Sequence, residues 1–467
     1  MPKLTLLSTH DGTRVTFGAY AWSVDDKGTV FGTVGLRPVR WTSPSAAPQI
    51  VRPAGTPIDA TGGFWTANPA GFAVGEVAKR GLIATATQAV LVPASYGVES
   101  LCAISPVSGS SFWTLGIGPG GMQALRIGTT SLDVQEAILV DAGLWPNGSL
   151  AIDAAGRIAG YSGEHKRVVF LDRNGTTFTQ HPLPVELDHA ANFVVYDGRL
   201  HLVGRRKSSE NLGRAGILRL PVDLATVSIA AQWEDFPLVE VRGPAAAGPA
   251  YLPNSADRWP FSQAMLASTP MFAYEAAVVT RAYSSAITAV CGVPEVSSSA
   301  WLTAARWAGG TTTNLNDELR PDLAFGTGAS MGQVERVRLI SAFGINSRGD
   351  IVGMADVEFK DTGDRNINPH RESPFLLQLD ADGSSGGRAS DDDDEGGGGE
   401  FRLASTPDAD GYFVARPSKL AAMDPRRIRR LPGPERPTLP PRKPTAPSRA
   451  PAEPTPRKPG SRRRSRS

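Results

Sequence analysis

Polar and apolar positions along this chain fall into a phrase that keeps returning. An apolar or aromatic stretch leads to Asp or Asn; three residues later comes Gly, then three mostly apolar residues and a second Gly. The first copy reads Trp22-Ser23-Val24-Asp25-Asp26-Lys27-Gly28-Thr29-Val30-Phe31-Gly32, and others occupy 65–75, 150–160 and 343–353. Aligned on the last glycine, Asp25, Asn68, Asp153 and Asn346 fall seven residues before it, and Gly28, Gly71, Gly156 and Gly349 fall four before it. Asp and Asn bond their own backbone two residues on, and Gly supplies a positive φ, so each copy predicts a hairpin turn feeding a short strand.

Weaker copies keep the register. Asp197 precedes Gly204 by seven residues, while Gly116 and Gly292 keep only the strand end. The anchor glycines 32, 75, 116, 160, 204, 292 and 353 are separated by 43, 41, 44, 44, 88 and 61 residues. The gap of 88 predicts one degenerate unit near 221–265, and the gap of 61 predicts a unit plus an insertion around 311–332. After each anchor comes a second apolar strand, at 38–41, 89–92, 124–127, 168–171, 216–220, 304–307 and 374–377. No sustained helical period accompanies them. Units of this length built from short strands predict an all-β protein, a β-propeller of about seven four-stranded blades, with six to eight compatible with the spacing.

The phrase, best seen in Ile345-Asn346-Ser347-Arg348-Gly349-Asp350-Ile351-Val352-Gly353, resembles the HAF-type extracellular-repeat family over roughly residues 20–380. The resemblance implies a propeller-like fold and brings no assigned activity with it.

Composition agrees with a turn-rich all-β chain: Gly 50 and Pro 38 in 467 residues, with Trp 9 and Phe 17 for blade cores. The net charge of +2 hides an asymmetry, with residues 424–467 at +11 and residues 1–423 at −9. This predicts a propeller over 1–423 and a disordered, basic, proline-rich tail over 424–467. Residues 383–400, with Asp391–Glu395 flanked by glycines, predict a flexible acidic loop inside the propeller. Beyond it, 401–404 and 412–415 look like strands that pair with N-terminal strands at 4–8 or 14–17 and close the ring. The start of the chain has no apolar export segment and no run is long enough to span a membrane, so the expected location is cytoplasmic or undetermined. Richness in Ala, Gly, Arg and Pro points to a GC-rich bacterial genome or its phage.

Candidate chemistry is sparse. The repeated Asp and Asn read as turn caps. His10, His165, His181, His189, His201 and His370 show no ligand spacing, so neither metal nor cofactor is expected. Cys102 and Cys291 read as buried free thiols. Asn147-Gly148-Ser149 and Asn174-Gly175-Thr176 read as Asn-Gly turns, and Gly116-Ile117-Gly118-Pro119-Gly120-Gly121 as a loop. The basic tail offers Arg426, Arg427, Arg429, Arg430, Arg442, Lys443, Arg462, Arg463, Arg464 and Arg466 as partner-binding residues for an anionic polymer or surface. Residues 437–442 also fit a proline-rich docking peptide. The expected role is a non-enzymatic protein-interaction scaffold working through a propeller face or the central channel. One alternative is a lyase or glycoside hydrolase using channel residues drawn from Glu76, Glu186, Glu234, Glu240, Asp317, Glu318 and His370. Another is non-specific nucleic-acid association through the tail.

Overall fold

A computed structural model describes residues 3–9, 18–141, 143–144, 150–183, 185–196, 199–206, 214–221, 232–235, 278–283, 286–294, 302–308, 311–319, 324–327, 334–359, 370–379, 400–403 and 413–417. The chain divides into two units, Met1–Ala422 and Met423–Ser467, and every described residue belongs to the first.

Six antiparallel four-stranded sheets follow one another. Blade 1 runs Ala19–Val24, Val30–Val34, Arg37–Trp41, Gln49–Ile50, and blade 2 runs Gly62–Ala67, Ala73–Val77, Arg80–Ala84, Ala89–Leu91. Blade 3 is Ser100–Ile104, Ser111–Gly118, Gly121–Gly128, Val134–Leu139, and blade 4 is Leu150–Ile152, Ile158–Ser162, Arg167–Asn174, Thr177–Pro182. Blade 5 is Leu187–Tyr196, Arg199–Arg206, Arg214–Pro221, Gln232–Asp235, and blade 6 is Val278–Tyr283, Ala286–Pro294, Leu302–Ala308, Thr311–Asn314. Blade 7 takes Val334–Ile345, Ile351–Phe359 and His370–Gln378 from late in the chain and its fourth strand, Lys3–Leu6, from the beginning. Each anchor glycine sits in the second strand of its own blade.

The first strands of blades 1 to 7 lie side by side in order, and that of blade 7 returns to that of blade 1. Apolar clusters fill the joints between blades 7 and 1, 1 and 2, 2 and 3, 3 and 4, 4 and 5, and 6 and 7. These sheets are therefore covered on their faces by neighbouring sheets, and together they form a seven-bladed β-propeller.

Three expectations change. In blade 2, residues 89–91 form the fourth strand; the third is Arg80–Ala84, reached through a two-residue turn with positive φ at Ala78 and Lys79. No further blade separates blades 5 and 6, because their first strands touch directly; 222–231 and 236–277 lie outside the described residues. The chain ends do close the ring, but Lys3–Leu6 pairs antiparallel with His370–Gln378 and, on its other edge, parallel with Ala324–Thr327. Glu400–Leu403 pairs with Ala324–Thr327 and Phe413–Pro417, and the latter with Val334–Ile345, completing a closed barrel around blade 7. Leu4 and Leu6 enter the joint between blades 6 and 7, while Leu7 enters the one between blades 7 and 1, which explains why the apolar edge of blade 7 prefers this partner. Residues 14–17 and 383–399 lie outside the described residues.

The anchor glycine has a reason the repeat spacing did not disclose. The first strands of blades 1, 2, 3 and 7 bulge at Trp22, Trp65, Cys102 and Phe343, three residues before the turn. The bulge drives a backbone carbonyl towards the second strand. A Cβ on Gly32 would meet the Tyr20 oxygen at 1.9 Å, one on Gly75 the Gly63 oxygen at 1.9 Å, and one on Gly353 the Ser341 oxygen at 2.0 Å.

Candidate functional site

At one end of the blades the Asp/Asn turns form a hydrogen-bonded belt. Asp25 Oδ1 accepts from the amides of Lys27 (2.9 Å) and Thr29 (2.7 Å), and Gly28, at φ 88°, donates its amide to the Asp25 carbonyl. Asp153 repeats this with Ala155 and Arg157, and Asn346 with Arg348 and Asp350. Asn68 Oδ1 accepts from Phe72. Ser105 fills the same place in blade 3: its hydroxyl accepts from the Trp113 amide at 2.8 Å. Ser105 escapes the repeat spacing, because a longer hairpin separates it from its anchor glycine. Asp197 lies outside the described residues. Each of these side chains commits one oxygen to backbone amides of its own hairpin, so the recurrent Asp and Asn build the scaffold.

The other end of the blades carries freer chemistry. Glu76 is the last residue but one of the second strand of blade 2 and faces the start of blade 3. Ser100 bonds Glu76 through its side chain and accepts from Trp65 Nε1 at 3.2 Å, giving a relay from indole through hydroxyl to carboxylate. Burial pushes the Glu76 carboxyl above its usual range; the Ser100 bond opposes that shift, and the charge of exposed Glu99 adds to it. Glu99 was not singled out by sequence, because its nearness to Glu76 arises between repeats. Further along the first strands, Phe343 of blade 7 meets Trp22 of blade 1 with ring centres 4.7 Å apart, and Tyr20 stacks on Trp22 at 5.3 Å. Tyr20, Trp65, Phe343 and Glu76 are half-buried. Aromatic rings on the first strands of blades 7, 1 and 2 are thus accompanied by two carboxylates, Glu76 in the second strand of blade 2 and Glu99 just before the first strand of blade 3.

The remaining channel candidates scatter. Exposed Glu186 precedes the first strand of blade 5, and Glu234 lies on the outermost strand of that blade, ion-paired with Arg219 at 2.8 Å. Asp317 and Glu318 stand in a short 3-10 turn after blade 6, and His370 begins the third strand of blade 7. Glu240 lies outside the described residues, as do Arg426, Arg427, Arg429, Arg430, Arg442, Lys443, Arg462, Arg463, Arg464 and Arg466. Among the described residues, no group of three or more His, Cys, Asp or Glu is arranged to hold a metal ion. The half-buried Cys102 thiol donates to the Leu115 carbonyl at 3.4 Å, and burial pushes it up to about 12, which favours the protonated thiol. The hairpin turn of blade 4 is Gly175-Thr176, with Gly175 at φ 62° and Asn174 the last strand residue before it, one residue on from the expected Asn-Gly turn; Pro119-Gly120 is the turn of blade 3. No helix among the described residues is long and apolar enough to cross a membrane.

No protein-family model and no curated protein matches the chain. Among solved structures it is similar to YCF48 bound to D1 peptide, at 10% identity over 81% of this chain and 96% of that one, TM-score 0.38. YCF48 from Cyanidioschyzon merolae matches at 9% identity over 80% and 98%, TM-score 0.37, and TolB from Acinetobacter baumannii at 11% over 64% and 59%, TM-score 0.32. The ring of contacting first strands, described above, is what defines the blades of this chain.

Proposed function

We propose that this chain is a non-enzymatic β-propeller scaffold that binds a protein partner at the strand ends away from the Asp/Asn turns. The observation that carries this reading is the Trp65–Ser100–Glu76 relay with Glu99 beside it. An indole edge, a fixed hydroxyl and two carboxylates make an amphipathic, negatively charged surface, and half-buried aromatic rings extend it over blades 1 and 7. Aromatic anchors with a charged margin are what protein interfaces use, and the charge selects a partner segment carrying Lys or Arg. The basic residues of 424–467 supply a second, electrostatic contact to an anionic polymer or surface in this reading. The shared turn phrase supports counting the chain among the HAF-type repeats, as part of the same proposal.

The test is selection of displayed peptides on the full chain and on a Glu76→Gln/Glu99→Gln variant. Enrichment of Lys- or Arg-bearing peptides by the wild type, lost in the variant and weakened by salt, is the expected result. Equal enrichment by both proteins removes the surface from the proposal.

A second reading rests on the same two carboxylates. Burial and a neighbouring charge set Glu76 apart from Glu99, as acid and base partners are set apart in glycosidases. Hydrolysis of a polysaccharide by the wild type, abolished in Glu76→Gln with peptide selection unchanged, would establish an enzyme here.

A further inference from the structure

Two asparagine caps of the turn belt bond across to the next blade, and the buried aspartate cap between them does not. Asn346 of blade 7 donates from Nδ2 to the Asp25 carbonyl of blade 1 at 2.7 Å. Asn68 of blade 2 donates from Nδ2 to the Ser105 carbonyl of blade 3 at 3.0 Å. In both cases a cap's amide reaches the backbone carbonyl of the equivalent cap in the next blade. Asp25 is the cap of blade 1, between these two. It is 1% exposed, its Oδ1 is taken by its own turn, and its Oδ2 has no hydrogen-bond partner among the described residues. That oxygen lies against the turn of blade 2, 2.8 Å from the place a Cβ on Gly71 would occupy. An ionised carboxylate can only accept, whereas a carboxylic acid can donate as an asparagine amide does.

We propose that Asp25 is a proton-dependent latch between blades 1 and 2: protonated at Oδ2 it donates into the blade 2 turn in place of an asparagine amide, and ionised it leaves a buried charge at that junction.

The surroundings agree. Burial dominates the environment of Asp25 and raises its carboxyl above the usual range, against the opposing bonds from Thr29 and Lys27 and the charge of Lys27. From blade 7, Arg348 reaches towards Gly28 but is engaged by Asp350, and Asp350 also accepts from Asn346. Asp26 accepts from the Ser347 amide. The blade 2 turn, Asn68-Pro69-Ala70-Gly71, presents no titratable group. The junction keeps one further bond, from the Asp26 amide to the Pro69 carbonyl at 2.9 Å, so losing the latch loosens this joint without severing it. The sign follows from linkage. Between the ordinary carboxylate range and the higher range of folded Asp25, the folded chain holds a proton that the unfolded chain releases, so this contribution to stability falls as pH rises.

Thermal unfolding of the full chain between pH 4 and pH 8 tests the proposal with Asp25→Asn and its reciprocal, Asn68→Asp. Asp25→Asn matches the wild type at the acid end and gains on it as pH rises, reaching about a tenfold lower unfolded ratio at pH 7, the effect of one restored hydrogen bond. Asn68→Asp shows the opposite course and loses stability most at high pH. A difference between wild type and Asp25→Asn that does not change with pH, or an Asp25→Asn protein weaker than wild type at pH 7, overturns the latch. A small shift in both variants that is independent of pH would mean that the two positions are plain turn caps, and would overturn it equally.

Discussion

Arg157 places a guanidinium where water hardly reaches. Its side chain is 10% exposed, and Nη2 and Nε meet Asp153 Oδ2 at 2.6 and 2.7 Å, with the Phe170 ring centre 6.0 Å away. In blades 4 and 7 the position four after the cap thus answers the chemistry of the cap itself. Asp153 has a cation there, whereas Asn346 has Asp350, which accepts from its amide at 2.8 Å. Breaking a buried pair strands a charge, at a cost of about 3–5 kcal/mol. Arg157→Ala is therefore expected to lower unfolding stability by about that amount, while Arg157→Met combined with Asp153→Asn, which removes both charges, loses clearly less. Urea midpoints followed by tryptophan fluorescence measure both; equal losses would show that the cost lies in the shape of the arginine and not in its charge.

At the scale of the strand, two glycines in one phrase do different work. Gly71 sits at φ 94° in the turn, whereas Gly75 lies in a strand where a Cβ would meet the Gly63 oxygen at 1.9 Å. A flexible side chain can step aside from an added methyl, but a bulged backbone held by its ladder cannot. Gly75→Ala is expected to cost more than about 3 kcal/mol, beyond the roughly 1 kcal/mol that a typical substitution costs, and circular dichroism melts would show it as a large fall in midpoint. A Gly75→Ala protein as stable as wild type would mean that the bulge at Trp65 relaxes freely. The sequence showed where Gly75 lies and not why: Asp/Asn-x-x-Gly spells out its own turn, because cap, glycine and amides sit within five residues. A bulge is a relation between strands, and the third strand of blade 2 follows a turn formed by Ala78 and Lys79, residues that carry no turn signature. The relay from Trp65 to Ser100 to Glu76 was hidden for the same reason. Those residues belong to neighbouring repeats, and spacing within one repeat says nothing about which side chains two repeats bring together.

For the whole ring, the decisive pairing joins the first described strand to one near the end of the propeller, Lys3–Leu6 to His370–Gln378. Lys3–Leu6 completes blade 7, Leu4, Leu6 and Leu7 are each 0% exposed, and Trp41 of blade 1 donates from Nε1 to the Ser8 carbonyl at 2.8 Å. Burying three leucines contributes about 5–9 kcal/mol, an upper figure because the unfolded chain already hides part of that surface. Total stabilities of folded domains run at about 5–15 kcal/mol, so this one strand is comparable with the whole margin. Its loss also bares the unpaired edge of His370–Gln378, a template for association with another chain. Deleting residues 1–9 is therefore expected to give aggregated or unfolded protein. Deleting 424–467, a stretch too poor in apolar residues to join a core, is expected to leave the melting midpoint within a degree or two of the full chain. Size-exclusion chromatography and melting curves on the two truncations separate the cases. A monomeric, cooperatively melting protein lacking residues 1–9 would show that the first and last blades hold the ring closed without the N-terminal strand, and that the stability of this propeller is carried by the joints between blades.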